Sequence, residues 1–321
     1  MQMKIQVTTG ILAALVGGFL SQPAKAQGNV AADAPATPAA WHSENVLYVA
    51  GLADVKPDSE GSLRLTPSAI SFVGKSAAGE IPYSQITGVY AGDERVATGG
   101  TGAKVARHIP FFGFGAAVGA VTNKKIDLLT IEYRDMNGGI HGAVFEIPKT
   151  QALIAQHQLS TFVTPSQAVE MQPCVEGTPS DAILVAPVRF TDVEVPAEYR
   201  ILLYEQLVEQ IKKADGTGTV YRVGDISVPC TAKTLQLSVT AFKKGNEAVR
   251  SSTGPVGFFV GGTSVNFHVS LTDKMGTVFF EQSMKESKRG DGDSLSVTHD
   301  LAKSLSKRLL KAKQYRAPAA S

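Results

Sequence analysis

Few residues in this chain have the types and spacing that chemistry needs. The six histidines stand apart at 42, 108, 141, 157, 268 and 299. No two sit at the i, i+2 or i, i+4 offsets that set two imidazoles on one metal, so no metal is expected. A Gly-x-Ser-x-Gly elbow is absent, and no nucleophile with a spaced base is visible, so no catalytic residue is assigned and the chain is read as a non-enzyme. Gly113–Phe114–Gly115 followed by Gly119 resembles a dinucleotide loop. Pro110 breaks the approach, however, and the next strand starts near Ile126, leaving no room for the helix that would hold a pyrophosphate. Gly74–Lys75–Ser76 has Ala69 where a phosphate loop needs its first glycine. Asp291 and Asp293 are followed by too few oxygen ligands for calcium, and a turn with a helix cap explains them. No cofactor is expected.

Two cysteines remain, Cys174 and Cys230, outside any C-x-x-C pair. A disulfide between them closes a long loop and contributes about 4 kcal/mol if unstrained; two buried thiols are the alternative. The oxidising compartment such a bond needs is indicated by the first 26 residues. Lys4 precedes an apolar run from Ile5 to Leu20, and Ala24–Lys25–Ala26 forms a small-x-small cleavage site. Charge, apolar run and small residues in that order describe a secretory signal peptide, too short for a comfortable membrane span. The expected location is periplasmic or secreted. Without Lys4 and Lys25 the chain has 29 bases against 29 acids. A net charge of zero argues against nucleic acid as a partner.

With 321 residues, 43% hydrophobic and 19% charged, the chain has room for two globular domains. Residues 27–44 are an Ala/Pro-rich leader. Over 45–163, short apolar runs (Val46–Val49, Leu63–Leu65, Ile70–Val73, Ile86–Tyr90, Leu128–Tyr133, Ala143–Ile147) alternate with turns such as Asp135–Gly139. This predicts an antiparallel β-barrel-like domain. A helix follows, capped by Thr150, with Leu153, Ile154 and Phe162 on its apolar side. Residues 164–180, with three prolines, form a linker. Over 181–315 the pattern is mixed α/β: a buried run at Ile183–Ala186, a helix after Pro196 with Tyr204, Leu207, Val208 and Ile211 on one face, and strands at 220–223, 235–241, 265–272 and 278–284. A last helix carries Leu301, Leu305 and Leu309. The fold class is α+β.

The first unit resembles a pleckstrin-homology-like or GRAM-like domain. The resemblance lies in Gly61–Thr66 leading into Ile70–Ser71–Phe72, in Ile81–Ile86, and in Leu128–Tyr133 with its glycine hairpin. It implies strands in a curled barrel with a closing helix. Members bind lipid headgroups or peptides, but the basic loop that reads phosphoinositides is missing. The second unit is similar to an envelope family of unknown function related to the curli-secretion lipoprotein and the N-terminal domain of the Tol translocation protein. Val185–Ala186–Pro187, Glu209–Gln210–Ile211 and Val269–Asp273 with Gly276 carry that likeness. The lipidated cysteine of the secretion lipoprotein is not present.

Two charge-free, glycine-rich segments, 109–121 and 254–262, interrupt the strand pattern. Either each folds over its own domain, or Phe111, Phe112, Phe114, Phe258 and Phe259 dock on an envelope partner or membrane surface. Lys303, Lys307 and Lys311 form a stripe on the last helix, read as a solvated face. The function expected is a non-catalytic exported interaction module of the bacterial envelope, with a homo-oligomer through the second domain as one arrangement. The competing reading is a small-ligand or lipid carrier using a cavity in the β domain.

Overall fold

Thirteen strands and three helices are seen in the computed structural model, which describes residues 41–97, 123–163, 174–176, 182–215, 219–245, 262–288 and 295–316. All fall within one compact unit, Ala39–Ser321. The first seven strands are β1 (His42–Ala50), β2 (Ser59–Leu65), β3 (Ala69–Gly74), β4 (Ala78–Pro82), β5 (Ile86–Ala97), β6 (Asn123–Arg134) and β7 (Ile140–Ile147). They form one antiparallel sheet in the order β4-β3-β2-β1-β7-β6-β5. No pairing joins β4 to β5 among the described residues, so the sheet is open and the barrel expected from the sequence is not closed by hydrogen bonds. A bulge in β1 between Ser43 and Val46, where Asn45 takes φ +57°, interrupts its register with β2. Inside the curl, Tyr48, Phe72 and Phe145 meet with ring centroids 5.7 to 5.9 Å apart, packed by Leu63, Ile70, Ile81 and Ile131.

Helix α1 (Gln151–Leu159) follows β7 and packs on β5 and β6. Its buried residues are Ala152, Ala155 and Leu159, whereas Leu153 is 67% exposed and Ile154 45%. The apolar side expected from the sequence therefore faces outward. Small alanines let the helix sit close to the sheet, and bulk at 153 and 154 would hold it away. Thr150 makes no side-chain cap and stands in the left-handed region at φ +74°. The cap comes from the sheet instead, where the buried carboxylate of Asp127 accepts from the Ala152 amide at 3.4 Å. Phe162, just past the helix, stacks on Tyr83 at 4.1 Å.

The remaining elements are β8 (Ile183–Val185), β9 (Arg189–Phe190), helix α2 (Ala197–Asp215), β10 (Val220–Arg222), β11 (Lys233–Lys243), β12 (Thr263–Thr272), β13 (Val278–Lys288) and helix α3 (Ser296–Arg316). The second sheet runs β10-β8-β11-β12-β13, with β9 also on β11. Its β8, β9, β10 and β11 pairings are parallel and the rest antiparallel, a mixed sheet. In the last hairpin, Asp273 Oδ1 accepts from the amides of Met275 (2.9 Å) and Thr277 (2.8 Å), fixing the turn at Gly276.

Helix α2 decides how the two sheets relate. Tyr204, Leu207, Val208 and Ile211 are buried as the periodicity predicts, and so are Glu198, Tyr199, Ile201, Leu202, Leu203 and Glu205. One side serves the second sheet and α3; the other lies on β1, β5, β6 and β7. Ala50, Leu128 and Val144 of the first sheet consequently share one core with Leu235 and Val269 of the second and with Leu301 of α3. The approach is close enough to dictate a glycine: a Cβ on Gly142 of β7 would lie 2.3 Å from Ile201 Cγ2. Gly142→Ala is expected to cost about 1–3 kcal/mol in urea unfolding. Ile201→Ala in the same chain should recover part of that loss, giving a measurable coupling in the double-mutant cycle.

Candidate functional site

The densest group of polar side chains lies where α2, β7 and β10 meet. Glu205 on α2 and Arg222 on β10 form a two-pronged ion pair, Nη1 donating to Oε1 at 2.8 Å and Nη2 to Oε2 at 2.7 Å. Each side chain is only 8% exposed. Glu205 Oε1 also accepts from the Gly142 amide at 3.0 Å, and Arg222 Nη1 donates to the Ile140 carbonyl at 3.0 Å. The pair is thus bonded on both sides to β7 of the first sheet. Charges of this kind are tolerated inside a protein only when hydrogen bonds replace the water they lose. Arg222 also lies over the Tyr204 ring, 5.2 Å from its centroid.

His141 completes the group. Its Nε2 is 3.3 Å from Asp135 Oδ2 and its Nδ1 3.8 Å from Glu205 Oε1, and its ring stacks on Tyr133 at 5.3 Å. Burial, seconded by the Arg222 charge, lowers its pKa against the opposing pull of Glu205 and Asp135. Burial works against the Arg222 charge too, but there the Glu205 carboxylate outweighs it and the pKa is raised. The Tyr133 and Tyr204 hydroxyls are driven upward by burial and stay protonated.

Backbone contacts finish the junction. Asp135 Oδ1 accepts from the amides of Asn137 and Gly139, both at 2.9 Å, shaping the β6–β7 turn. That turn meets the chain after β10: Ile140 N donates to Val223 O at 3.1 Å and Ile226 N to Asn137 O at 3.0 Å. Gly138 (φ +84°) and Gly224 (φ +97°) touch there, and a Cβ on either would lie within 2.5 Å of the other's carbonyl oxygen. Chemically, this arrangement holds charge rather than moving it. Both carboxylate oxygens of Glu205 are engaged, accepting three hydrogen bonds in all, and Arg222 balances its charge.

A second constellation lies on the open face of the second sheet. His268 Nδ1 is 3.2 Å from Ser283 Oγ, and its Nε2 is 3.1 Å from Glu281 Oε1. Serine, histidine and carboxylate in a row resemble a nucleophilic triad, but the three are cross-strand neighbours open to water. Backbone N–H groups around them lie in the plane of the sheet, so none points at a developing oxyanion above it. Among the described residues no cluster of three or more His, Cys, Asp or Glu is placed to hold a metal.

Phe111, Phe112, Phe114, Phe258 and Phe259 lie outside the described residues, as does the signal-like segment 1–26. Cys174 and Cys230 are joined, with Cα atoms 4.8 Å apart. Beside the bond, Val175 N donates to Val228 O and Cys230 N to Val175 O. A disulfide fits a chain that folds outside the reducing cytoplasm. Lys303, Lys307 and Lys311 are exposed along α3, as a solvated face should be. The interior that a carrier would need is filled by the Tyr48–Phe72–Phe145 group. A groove of about 450 Å³ does exist elsewhere, bordered by Glu44, Leu47, Glu60, Val73 and Lys75 of β1–β3 and the turn after them. Sequence reasoning missed the Glu205–Arg222–His141 junction entirely. The available signal was Glu205 embedded in an apolar helical run and Arg222 between Tyr221 and Val223.

The sequence matches no family model and no curated protein. Among solved structures, an uncharacterized protein overlaps 44% of this chain and 98% of its own at 12% identity, with a TM-score of 0.30. A Xanthomonas campestris protein of the family DUF330 overlaps 44% of this chain and 98% of its own at 12% identity and a TM-score of 0.29. PelC of Paraburkholderia phytofirmans, solved as a dodecamer, overlaps 39% and 85% at 13% identity and 0.29. Overlaps this thin carry no argument about function.

Arg222→Met leaves Glu205 buried without its counter-charge and is expected to cost about 3–5 kcal/mol in chemical unfolding, whereas pairing it with Glu205→Leu should cost much less. The His141 shift adds a pH dependence. Its pKa is lowered in the folded chain, so the unfolded chain binds more protons below the ordinary value of 6.5. Stability is therefore full above that value and declines as pH falls beneath it. His141→Gln should flatten the melting temperature between pH 7 and pH 5 relative to the parent, and an unchanged slope would contradict the assignment.

Proposed function

We propose that this protein is a non-catalytic, exported module of the bacterial envelope that docks on a membrane surface through its two apolar segments, 109–121 and 254–262. The observation that carries this reading concerns the strands leading into them. β5 and β6 pair outward as far as Ala97 and Asn123, and β11 and β12 as far as Lys243 and Ser264. Each of these two strand pairs therefore brackets one of the segments in the sequence. The two pairs are tied together near that end: Lys244 Nζ donates to the Asp93 carbonyl at 3.0 Å and pairs with Glu198 Oε1 at 3.5 Å. Chain that leaves toward both phenylalanine-rich segments does so from neighbouring points. Two short apolar segments reached from neighbouring strand ends suit an interface better than one alone, because their burial adds while the protein loses its freedom only once.

A catalytic role has less to stand on, since the buried acid is tied up in its ion pair with Arg222 and the Ser283–His268–Glu281 row is open to water. The carrier reading is disfavoured by the filled interior of the first sheet. Seven strands followed by a helix packed on β5 and β6 support the pleckstrin-homology-like character of residues 45–163, in an open form. The signal-like segment and the disulfide support a periplasmic or secreted location.

The test is flotation of the chain from residue 27 with phosphatidylethanolamine–phosphatidylglycerol vesicles. The comparison is a variant carrying Phe111→Ser, Phe112→Ser, Phe258→Ser and Phe259→Ser, its fold checked by circular dichroism and thermal melting. Flotation of the parent, lost in the folded variant, is the expected result. A parent that stays at the bottom of the gradient would sink membrane docking and direct the search to a protein partner.

A further inference from the structure

We infer that β13 is a self-recognition edge, through which a second copy of this chain pairs antiparallel about a two-fold axis at Ser283 and extends the six-stranded sheet into one of twelve. The inference is independent of the docking segments.

The edges of the two sheets are treated differently. On β5, the outward carbonyls of Val89 and Asp93 are taken by Gln156 Nε2 at 3.1 Å and Lys244 Nζ at 3.0 Å. β4 and β10 are short, at five and three residues. β13 is eleven residues long, and among the described residues no side chain caps the backbone of Phe280–Ser287. Its pairing with β12 is regular from Phe280 to Lys288, so the free side is a straight row of donors and acceptors. Such a row is a template for another strand unless something opposes it.

The charges on β13 select the partner. Glu281, Ser283 and Lys285 are exposed and share the open face of the sheet. Glu281 and Lys285 stand two residues either side of Ser283. In an antiparallel pair of two copies with Ser283 opposite Ser283, Glu281 of each copy lies opposite Lys285 of the other, twice. On the other face Gln282 meets Met284 twice, and Phe280 meets Glu286. Opposite charges directly across a strand pair attract, and like charges repel. Lysines alone would oppose a second copy in every register; this acid and base, evenly spaced about one residue, favour one register and one symmetry. Glu281 is presented for the role by His268, whose Nε2 holds it at 3.1 Å.

The experiment is sedimentation equilibrium of the chain from residue 27 over a wide concentration series at low and high salt. A monomer–dimer equilibrium that weakens with salt is expected. Lys285→Glu sets like charges opposite each other at two places and should raise the dissociation constant by about 10-fold or more. Adding Glu281→Lys should restore it, since the double exchange regenerates both opposite pairs in that register alone. Ser283→Cys places one thiol against its own copy and should yield an interchain disulfide on mild oxidation; Ser270→Cys, on β12, should not. Thermal melts of each variant separate lost pairing from lost folding. A monomer at every concentration overturns the inference, and so does a dimer indifferent to Lys285→Glu and not cross-linked by Ser283→Cys.

Discussion

A helix buried on two sides must satisfy two surfaces at once, and most of this structure follows from how α2 does so. Its apolar residues supply both sheets, but apolar contact alone lets a helix slide or rotate by a residue with little penalty. Glu205 removes that freedom. With one oxygen on Arg222 and the Gly142 amide and the other on Arg222, it fixes α2 against β7 and β10 together. Gly142 lets the backbone come close enough to donate, and Ile201 fills the space its missing side chain leaves. Asp135, Gly138 and Gly224 then shape two turns that interlock around the same point.

That junction also sets the electrostatic character of the interior. Burial is the main force that keeps His141 and the nearby tyrosines neutral, and at His141 the Arg222 charge adds to it. The polar groups with freedom to meet a partner are elsewhere: on the open face of the second sheet and along the exposed side of α3. The buried cluster gives the molecule a defined geometry, and the surfaces give it something to offer.

Much of the architecture was legible in the sequence because most strands are half-buried, and alternation reports half-burial directly. The runs at 235–241 and 265–272 became β11 and β12, and Asp135–Gly139 and Asp273–Gly276 became turns. Elements with little apolar content were not legible: β4 has one buried residue, Ile81, and β9 is two residues long. The face of α1 was misjudged because alanines do the packing there, and periodicity weighs bulk. The junction was invisible for a different reason. Glu205 and Arg222 come from separate elements, and the strand carrying Gly142 comes earlier still, so no spacing rule joins them. A charge inside an apolar run reads as solvated until its partner is placed. The phenylalanines of 109–121 and 254–262 were singled out by composition alone.

The shared core carries a consequence for the order in which the chain acquires structure. Leu128 and Val144 reach their burial only when α2, beginning at Ala197, covers β6 and β7. A chain emerging from its N-terminus can fill the inside of the first sheet with its own aromatic residues, yet its other face stays greasy until the helix arrives. Contacts bridging such long stretches of chain form slowly, because loop closure must precede any reward. In that interval the newly made polypeptide has an adhesive flat surface that its finished form conceals, and a chaperone would find its client there.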